Sequence, residues 1–159
     1  MAIATFGAGC FWGVEYFFNQ ISGVKQTRCG YMGGNDALKS YQEVKAGETG
    51  HAEVVQVEYD ETRVSFDALL DIFWQNHNPT TLNRQGDDIG NQYRSAVFFH
   101  NEQQQLIAEH AKLHLANSGK WGEKQIVTEI VPALVFNCAE EYHQNYLLKN
   151  NLPSCHISF

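Results

Sequence analysis

Apolar and polar residues alternate with two different periods along this chain, so the pattern predicts both strands and helices. Between residues 51 and 60 the period is two, which is typical of a strand with one buried face. Between residues 11 and 23 the apolar positions recur every three to four residues, which predicts a helix that ends near Gly23. The apolar positions are Val55, Val57 and Tyr59 in the strand and Val14, Phe17, Phe18 and Ile21 in the helix.

The rest of the chain continues this mixture and contains no internal repeat or linker. Further strands are predicted at 2–6, in the first part of 24–34, at 93–100 and at 125–131, and further helices after Ser65, from Asn101 to Gly119 and at 139–150. Residues 78–92 carry few apolar side chains and are predicted to form a long loop. Strands mixed with helices, without a strict strand–helix–strand repeat, predict an α/β or α+β two-layer sandwich formed by one domain over residues 1–159.

Composition and charge exclude several classes of function. The 159 residues suffice for one domain with a core, and a net charge of -7 without clustered Lys or Arg argues against a nucleic-acid partner. The sequence lacks both a long apolar stretch and a signal-peptide pattern, so no membrane association is expected. Four cysteines are too few for a disulfide scaffold, so a reducing, cytoplasmic location is expected.

The segment GAGCFWG places Cys10 after two glycines and directly before the first predicted helix. Glycine lets the backbone turn sharply, and the free N–H groups and the dipole at a helix start favour a thiolate. An isolated cysteine is more often a buried structural residue, but this glycine–turn–helix placement favours a nucleophile. Cys10 is therefore the leading candidate for covalent chemistry.

In the alternating strand, Glu53 falls on the same face as the apolar residues Val55, Val57 and Tyr59. Its carboxyl group is therefore predicted to face the core. Burial penalises the charged form and raises the pKa of a carboxyl group, which keeps it able to donate a proton near neutral pH. The alternative is a carboxylate at the rim of the core, paired with Lys or Arg. The pattern alone leaves both open.

The long polar loop offers Asp87 and Asp88 as candidate ligands for a divalent cation, but it lacks the spacing of a calcium loop. A solvated turn explains the same residues more simply. His110 and His114 lie on a predicted helix, and no C-x₂-C pair accompanies them. No metal ion or other cofactor is therefore predicted.

Five sequence blocks, in order along the chain, closely resemble those of the A-type peptide methionine sulfoxide reductases. The blocks are GCFWG at 9–13, GYMGG at 30–34, TGHAEVV at 49–55, NRQGDDIGNQYRSAVF at 83–98 and AEEYHQNYL at 139–147. Together they extend over essentially the whole chain. The resemblance implies a two-layer α/β sandwich with a mixed sheet, a ferredoxin-like core and a long coiled C-terminal tail.

The same resemblance implies a role for each matching residue. The family reduces the S-epimer of methionine sulfoxide, free or in proteins, and its nucleophile is the cysteine of GCFWG, here Cys10. The two aromatic residues that follow hold the methyl group of the substrate, the glutamate of GHAE is the acid, and two tyrosines and an aspartate assist. These positions are Phe11, Trp12, Glu53, Tyr41, Tyr93 and Asp88.

The resemblance also implies how the enzyme is recycled. Relatives carry one or two resolving cysteines in a glycine-rich tail, whereas this tail reads NNLPSCHISF and contains Cys155 without glycine. Cys155 is therefore expected to form a disulfide with the oxidised Cys10, which thioredoxin reduces, in a monomeric enzyme without a cofactor. Cys29 and Cys138 lie where the family motif has no cysteine, and their part in recycling stays open.

Two functions of other classes remain as alternatives. A cysteine hydrolase would need a histidine to activate Cys10, and His51 or His143 could serve. A non-catalytic module could use Phe11, Trp12 and the tyrosines as an aromatic cage for a methylated group. Of the three functions, only the reductase consumes thiol when it is given a sulfoxide.

Overall fold

The computed structural model describes residues 1–37, 40–47 and 49–150. The predicted coiled C-terminal tail, with Cys155, lies outside these residues. The helices and strands are β1 (Ala2–Ala8), α1 (Phe11–Asn19), β2 (Val24–Met32), α2 (Tyr41–Lys45), β3 (Ala52–Tyr59), α3 (Phe66–Gln75), β4 (Arg84–Gln85), β5 (Asp88–Ile89), β6 (Ser95–Phe99), α4 (Glu102–Asn117), β7 (Glu129–Pro132), β8 (Asn137–Cys138) and α5 (Tyr146–Lys149). Short 3₁₀ helices at Asn91–Tyr93 and Glu141–His143 precede β6 and α5. None of the helices in the described ranges is long and apolar enough to cross a membrane.

The sheet confirms the predicted ferredoxin-like core. Its six strands have the order β7-β6-β1-β3-β2-β8, and the four strands β6-β1-β3-β2 pair antiparallel throughout. With α1 between β1 and β2 and α3 between β3 and β6, this order is that of two split βαβ units. β7 pairs with β6 in parallel, so the sheet is mixed, as predicted.

The two faces of the sheet are covered differently. Helices α1, α3 and α4 contribute to the larger cluster of buried side chains on one face. Val55, Val57 and Tyr59 of β3 point into this cluster, as the period of two predicts. On the other face Val54 belongs to a smaller cluster, which side chains from the segment 131–136 cover. The helices and the sheet are thus the two layers of the sandwich.

The register of the sheet brings the ends of four strands together. Ala8, the last residue of β1, pairs with Ser95, the first residue of β6. Tyr31, near the end of β2, pairs with Glu53, near the start of β3. Because β1 runs antiparallel to both β3 and β6, the connections after β1 and β2 meet those before β3 and β6. Side chains on these four connections therefore gather at one end of the sheet.

Three local predictions are wrong in detail. Residues 78–92 contain the hairpin of β4 and β5 and a 3₁₀ helix, so they are not one long loop. The strand predicted at 125–131 is short and shifted, because only Glu129–Pro132 pairs with β6. The helix predicted at 139–150 is interrupted at Asn145, whose left-handed φ of 55° is incompatible with a continuous right-handed helix.

Candidate active site

Cys10 lies at the start of α1, as the glycine pattern predicts. Gly9 has a φ of 96°, which other residues rarely adopt, so the turn between β1 and α1 requires glycine at this position. Cys10 is the N-cap residue, and its carbonyl oxygen accepts hydrogen bonds from the backbone N–H groups of Gly13 and Val14. The partly exposed residue thus stands at the positive end of the helix dipole, where a thiolate is stabilised.

Glu53 lies beside the same turn. It is 2% exposed, and its Oε1 accepts a hydrogen bond of 3.2 Å from the backbone N–H of Phe11, the residue after Cys10. The pKa of the Glu53 carboxyl group is raised to about 8, mainly by burial; this hydrogen bond lowers the pKa by less, and the charge of Asp88 also raises it. None of the ion pairs within the described residues includes Glu53. Glu53 is therefore a buried acid that holds its proton at neutral pH, and not a carboxylate at the rim.

Two tyrosines add hydrogen-bond donors to this end of the sheet. Tyr41 is the first residue of α2, whose start is fixed by a capping box, and Tyr93 ends the 3₁₀ helix before β6. Burial, followed by the charges of Glu53 and Cys10, raises the pKa of Tyr41 to about 12. Burial, followed by the charge of Glu53, also raises the pKa of Tyr93. Both phenols are therefore neutral donors in the same electrostatic environment as Cys10 and Glu53.

Asp88 lies at the rim of this group. It is exposed, and it pairs with Gln85 in the β4–β5 hairpin. Its charge contributes to the raised pKa values of Glu53, Tyr41 and Tyr93, after burial as the main cause, so the hairpin places a carboxylate within electrostatic range of all three. Within the described ranges, no group of three His, Cys, Asp or Glu side chains could hold a metal ion.

Phe11 and Trp12 occupy different environments. Phe11 is 1% exposed, and its ring centroid lies 5.6 Å from that of Tyr31 and 5.2 Å from that of His143. Trp12 is partly exposed, and its indole stacks on Tyr146 with a centroid distance of 3.9 Å and an interplanar angle of 11°. Trp12 therefore offers accessible ring surface, whereas Phe11 is part of the core beneath it.

His143 and Tyr146 contact Trp12, although no pattern in the sequence placed them beside it. The indole N–H of Trp12 donates a hydrogen bond of 2.9 Å to Nδ1 of the buried His143. Burial lowers the pKa of His143, and the charge of Glu140 raises it by less, so this imidazole is neutral and accepts through Nδ1. The available signal was the AEEYHQNYL block, which contains both residues.

The site does not favour the two alternative functions. His51 is fully buried, and its ring nitrogens contact a backbone N–H at 3.0 Å and a backbone carbonyl oxygen at 2.8 Å. His143 is engaged by Trp12, so neither histidine is arranged as a base for Cys10. An aromatic cage would leave the protonated acid of Glu53 without a role. The combination of a helix-start thiol with a buried acid favours the reductase.

Cys29 and Cys138 differ in exposure. Cys29 is fully buried in β2, and its thiol donates a hydrogen bond of 3.1 Å to Oε1 of Glu15. Burial, then the charge and hydrogen bond of Glu15, raises the pKa of Cys29 well above its usual value, which disfavours an attacking thiolate. Cys138 in β8 is exposed. Of these two thiols, only Cys138 is accessible for exchange in this conformation.

The chain is similar to named proteins over nearly its whole length. The family model described as peptide methionine sulfoxide reductase matches residues 2–159. The peptide methionine sulfoxide reductase MsrA of Methanothermobacter thermautotrophicus is 52% identical over 154 residues, which cover 97% of this chain and 90% of that protein. Both comparisons agree with the motifs and with the site geometry.

Solved structures also share the fold. The crystal structure of Mxr1 from Saccharomyces cerevisiae in reduced form matches with a TM-score of 0.88 and 37% identity, over 99% of this chain and 91% of that chain. The crystal structure of Mxr1 in complex with Trx2 matches with a TM-score of 0.62 and 26% identity, over 99% of this chain and 88% of that chain. From the family match, these identities and this fold, we conclude that the chain belongs to the A-type peptide methionine sulfoxide reductases and is an oxidoreductase.

Proposed function

We propose that this enzyme reduces the S-epimer of methionine sulfoxide, free or in proteins, to methionine, and that Cys10 takes up the oxygen as a sulfenic acid. The observation that supports this most directly is the protonated Glu53, hydrogen-bonded to the backbone N–H that follows Cys10. A sulfoxide sulfur is a poor electrophile until its oxygen receives a proton. A buried acid beside a helix-start thiol meets this requirement.

The first half-reaction transfers the oxygen to the enzyme. Glu53 protonates the sulfoxide oxygen while Tyr41 and Tyr93 donate hydrogen bonds to it. The Cys10 thiolate attacks the sulfur and forms a sulfur–sulfur bond. The hydroxyl group then passes from the substrate sulfur to the Cys10 sulfur while the sulfur–oxygen and sulfur–sulfur bonds of this intermediate break, which leaves a sulfenic acid on Cys10. Methionine leaves with the two electrons supplied by the Cys10 sulfur. Asp88 assists from the rim, because its charge favours the protonated form of Glu53.

Trp12 explains how the site would select one epimer. The methyl group of the substrate packs on the accessible ring of Trp12, over the buried Phe11, while the sulfoxide oxygen meets Glu53 and the tyrosines. The sulfur is a stereocentre with a lone pair, so fixing its methyl group and its oxygen leaves two positions, and the two epimers exchange the lone pair and the rest of the methionine between them. Only one epimer then presents its sulfur to Cys10.

The second half-reaction restores the thiol. Cys155 attacks the sulfenic acid of Cys10, water leaves, and a disulfide forms that thioredoxin reduces by exchange. The similar yeast protein Mxr1 has been solved in complex with Trx2, which supports a thioredoxin as the reductant. Electrons then arrive through the partner, and this chain needs no cofactor of its own.

An epimer-resolved assay tests this function. The enzyme is incubated with dithiothreitol and each epimer of methionine sulfoxide separately, and methionine and oxidised dithiothreitol are quantified. We expect the S-epimer alone to be consumed, with one methionine formed for each dithiothreitol oxidised. Equal consumption of both epimers, or binding without thiol consumption, would contradict the proposal.

Replacing Trp12 with alanine should raise the KM for the S-epimer roughly 10-fold, because the methyl group loses its aromatic surface. The rate at which iodoacetamide alkylates Cys10 should stay unchanged, since the helix start is intact. Trp12→Phe keeps a ring at this position but loses the hydrogen bond to His143, so this matched control should have a KM between those of the wild type and Trp12→Ala. An unchanged KM with slower alkylation would mean that Trp12 supports the helix and not the substrate.

Replacing Cys155 with serine should separate the two half-reactions. With thioredoxin, Cys155→Ser should reduce one equivalent of sulfoxide at the wild-type rate and then stop, because no disulfide forms for thioredoxin to reduce. With dithiothreitol it should turn over continuously, since a small thiol attacks the sulfenic acid directly. Cys138→Ser is the control and should turn over with thioredoxin. Sustained thioredoxin-driven turnover of Cys155→Ser would show that another cysteine, or none, resolves Cys10.

A further inference from the structure

Glu15 is a buried carboxylic acid that the proposed reaction does not use. It lies on α1, one turn after Trp12, and is 1% exposed. A carboxylate is costly to bury unless hydrogen-bond donors surround it. Three donors meet this need: the Thr27 hydroxyl at 2.8 Å, the Cys29 thiol at 3.1 Å and the backbone N–H of Asn145. Glu15 therefore joins α1 to β2 and also to the segment before α5.

The hydrogen bond to Asn145 holds an uncommon backbone conformation. Asn145 has a φ of 55° and a ψ of 36°, in the left-handed region that costs free energy for residues other than glycine and that asparagine tolerates best. Its side chain is held as well, because Nδ2 of Asn19 donates a hydrogen bond of 2.5 Å to its Oδ1. Glu15 and Asn19 lie one turn apart on α1, so the helix fixes Asn145 through both its backbone and its side chain.

In the sequence, Asn145 lies between His143 and Tyr146, the two residues that contact the indole of Trp12. His143 accepts the hydrogen bond from the indole N–H at 2.9 Å, and Tyr146 stacks on the indole at 3.9 Å between centroids. The backbone at Asn145 sets the direction of the chain between these two contacts. A right-handed conformation at Asn145 would turn the chain differently and could not keep both residues on the indole.

We propose that Glu15 is a positioning residue for the substrate-binding ring of Trp12. Its carboxyl group fixes the left-handed turn at Asn145, the turn holds His143 and Tyr146 against the indole, and the indole keeps the orientation that receives the methyl group of the substrate. This role rests on the proposed reductase function and adds to it a residue that does not touch the substrate.

A purely structural role for Glu15 would act through β2 instead. Oε2 of Glu15 accepts the hydrogen bond from Thr27, whereas Oε1 accepts the one from Asn145. The Cys29 thiol of β2 also donates to Oε1, so the two roles share this oxygen atom but have different partners. Changing the partners one at a time separates them.

The test compares three variants. Glu15→Leu removes both acceptor oxygens at similar volume, and we expect it to raise the KM for the S-epimer about tenfold. Its single-turnover rate at saturating substrate, and the rate of Cys10 alkylation, should stay within about twofold of wild type, since neither depends on the hydrogen bond. Glu15→Gln keeps an acceptor for the backbone N–H of Asn145, so its KM should stay close to the wild-type value. Thr27→Val, the matched control for the structural role, also loses the contact of the Thr27 hydroxyl with Oδ1 of Asn19, but Nδ2 of Asn19 still donates to Asn145, so the KM should stay unchanged.

A spectroscopic readout accompanies the kinetics. The near-ultraviolet circular dichroism of stacked aromatic rings depends on their geometry, so Glu15→Leu should lose the contribution of the Trp12–Tyr146 pair, whereas Thr27→Val should retain it. An unchanged KM in Glu15→Leu, or an equal rise in Thr27→Val, would overturn the proposal.

Two further outcomes are also decisive. If Glu15→Leu does not fold, Asn145→Ala makes the left-handed turn costlier with Glu15 in place, and it must raise the KM in the same way. An unchanged KM in Asn145→Ala would overturn the proposal. If the wild type reduces no sulfoxide, the proposed function fails, and the circular dichroism of the variants still decides whether Glu15 positions Trp12.

Discussion

Cys10→Ser is expected to abolish the reduction of S-methionine sulfoxide. A serine hydroxyl is almost entirely protonated at neutral pH, so the attacking anion is far scarcer than a thiolate at the same helix start. Oxygen also cannot take the place of sulfur as the atom that is oxidised, because the two electrons in the reaction come from the Cys10 sulfur. The measurement is methionine formation from the S-epimer with dithiothreitol, with circular dichroism to establish that the variant is folded.

Cys138→Ser is the matched control for this experiment. It makes the same change of one atom at an exposed thiol, and with dithiothreitol as reductant it should keep wild-type activity. Appreciable turnover by Cys10→Ser would remove Cys10 from its proposed role. A loss of activity in both variants would point to a general effect of thiol substitution.

Glu53→Gln should keep the fold and slow the first half-reaction by about 10²–10⁴-fold, the usual value of general acid catalysis. Glutamine can still accept the hydrogen bond from the backbone N–H of Phe11, so the turn at Cys10 should be preserved. The measurement is the single-turnover rate of methionine formation in the absence of reductant. A rate equal to that of the wild type would mean that the proton comes from another group.

The pKa of Glu53 also predicts two effects of pH. Since burial raises this pKa to about 8, the wild-type single-turnover rate should fall above pH 8 as Glu53 ionises, and Glu53→Gln should lack this decline. The folded state binds this proton more tightly than the unfolded state, so its stabilising effect is complete below an ordinary pKa of 4.5 and is lost as the pH rises through about 8. The unfolding free energy of Glu53→Gln relative to wild type should therefore rise over this range. A constant difference between pH 5 and about 9 would contradict the raised pKa.

The positions of Cys10 and Glu53 could be predicted because the patterns that indicate them lie in short stretches of sequence. A sharp turn before a helix needs glycine, and Gly9 indeed has a φ of 96°. Strand parity places Glu53 on the same face as Val55, and the structure buries it there. The pKa of Glu53 follows from that burial and from a hydrogen bond to the neighbouring turn.

The residues that the local patterns missed depend on contacts between distant parts of the chain. Trp12 and His143 are 131 positions apart, and Glu15 and Asn145 are 130 positions apart. No period or motif spacing reports such pairs. The interruption of the last predicted helix has the same origin, because contacts with α1 hold Asn145 in a conformation that helix propensity does not favour.

The most direct test of the central claim is to trap the oxidised residue. Cys155→Ser is mixed with the S-epimer in the absence of reductant, dimedone is added to label any sulfenic acid, and the label is located by mass spectrometry of peptides. We predict one methionine formed per enzyme and a dimedone adduct on Cys10. Methionine formation with the adduct on Cys29 or Cys138, or with no adduct on Cys10, would contradict it.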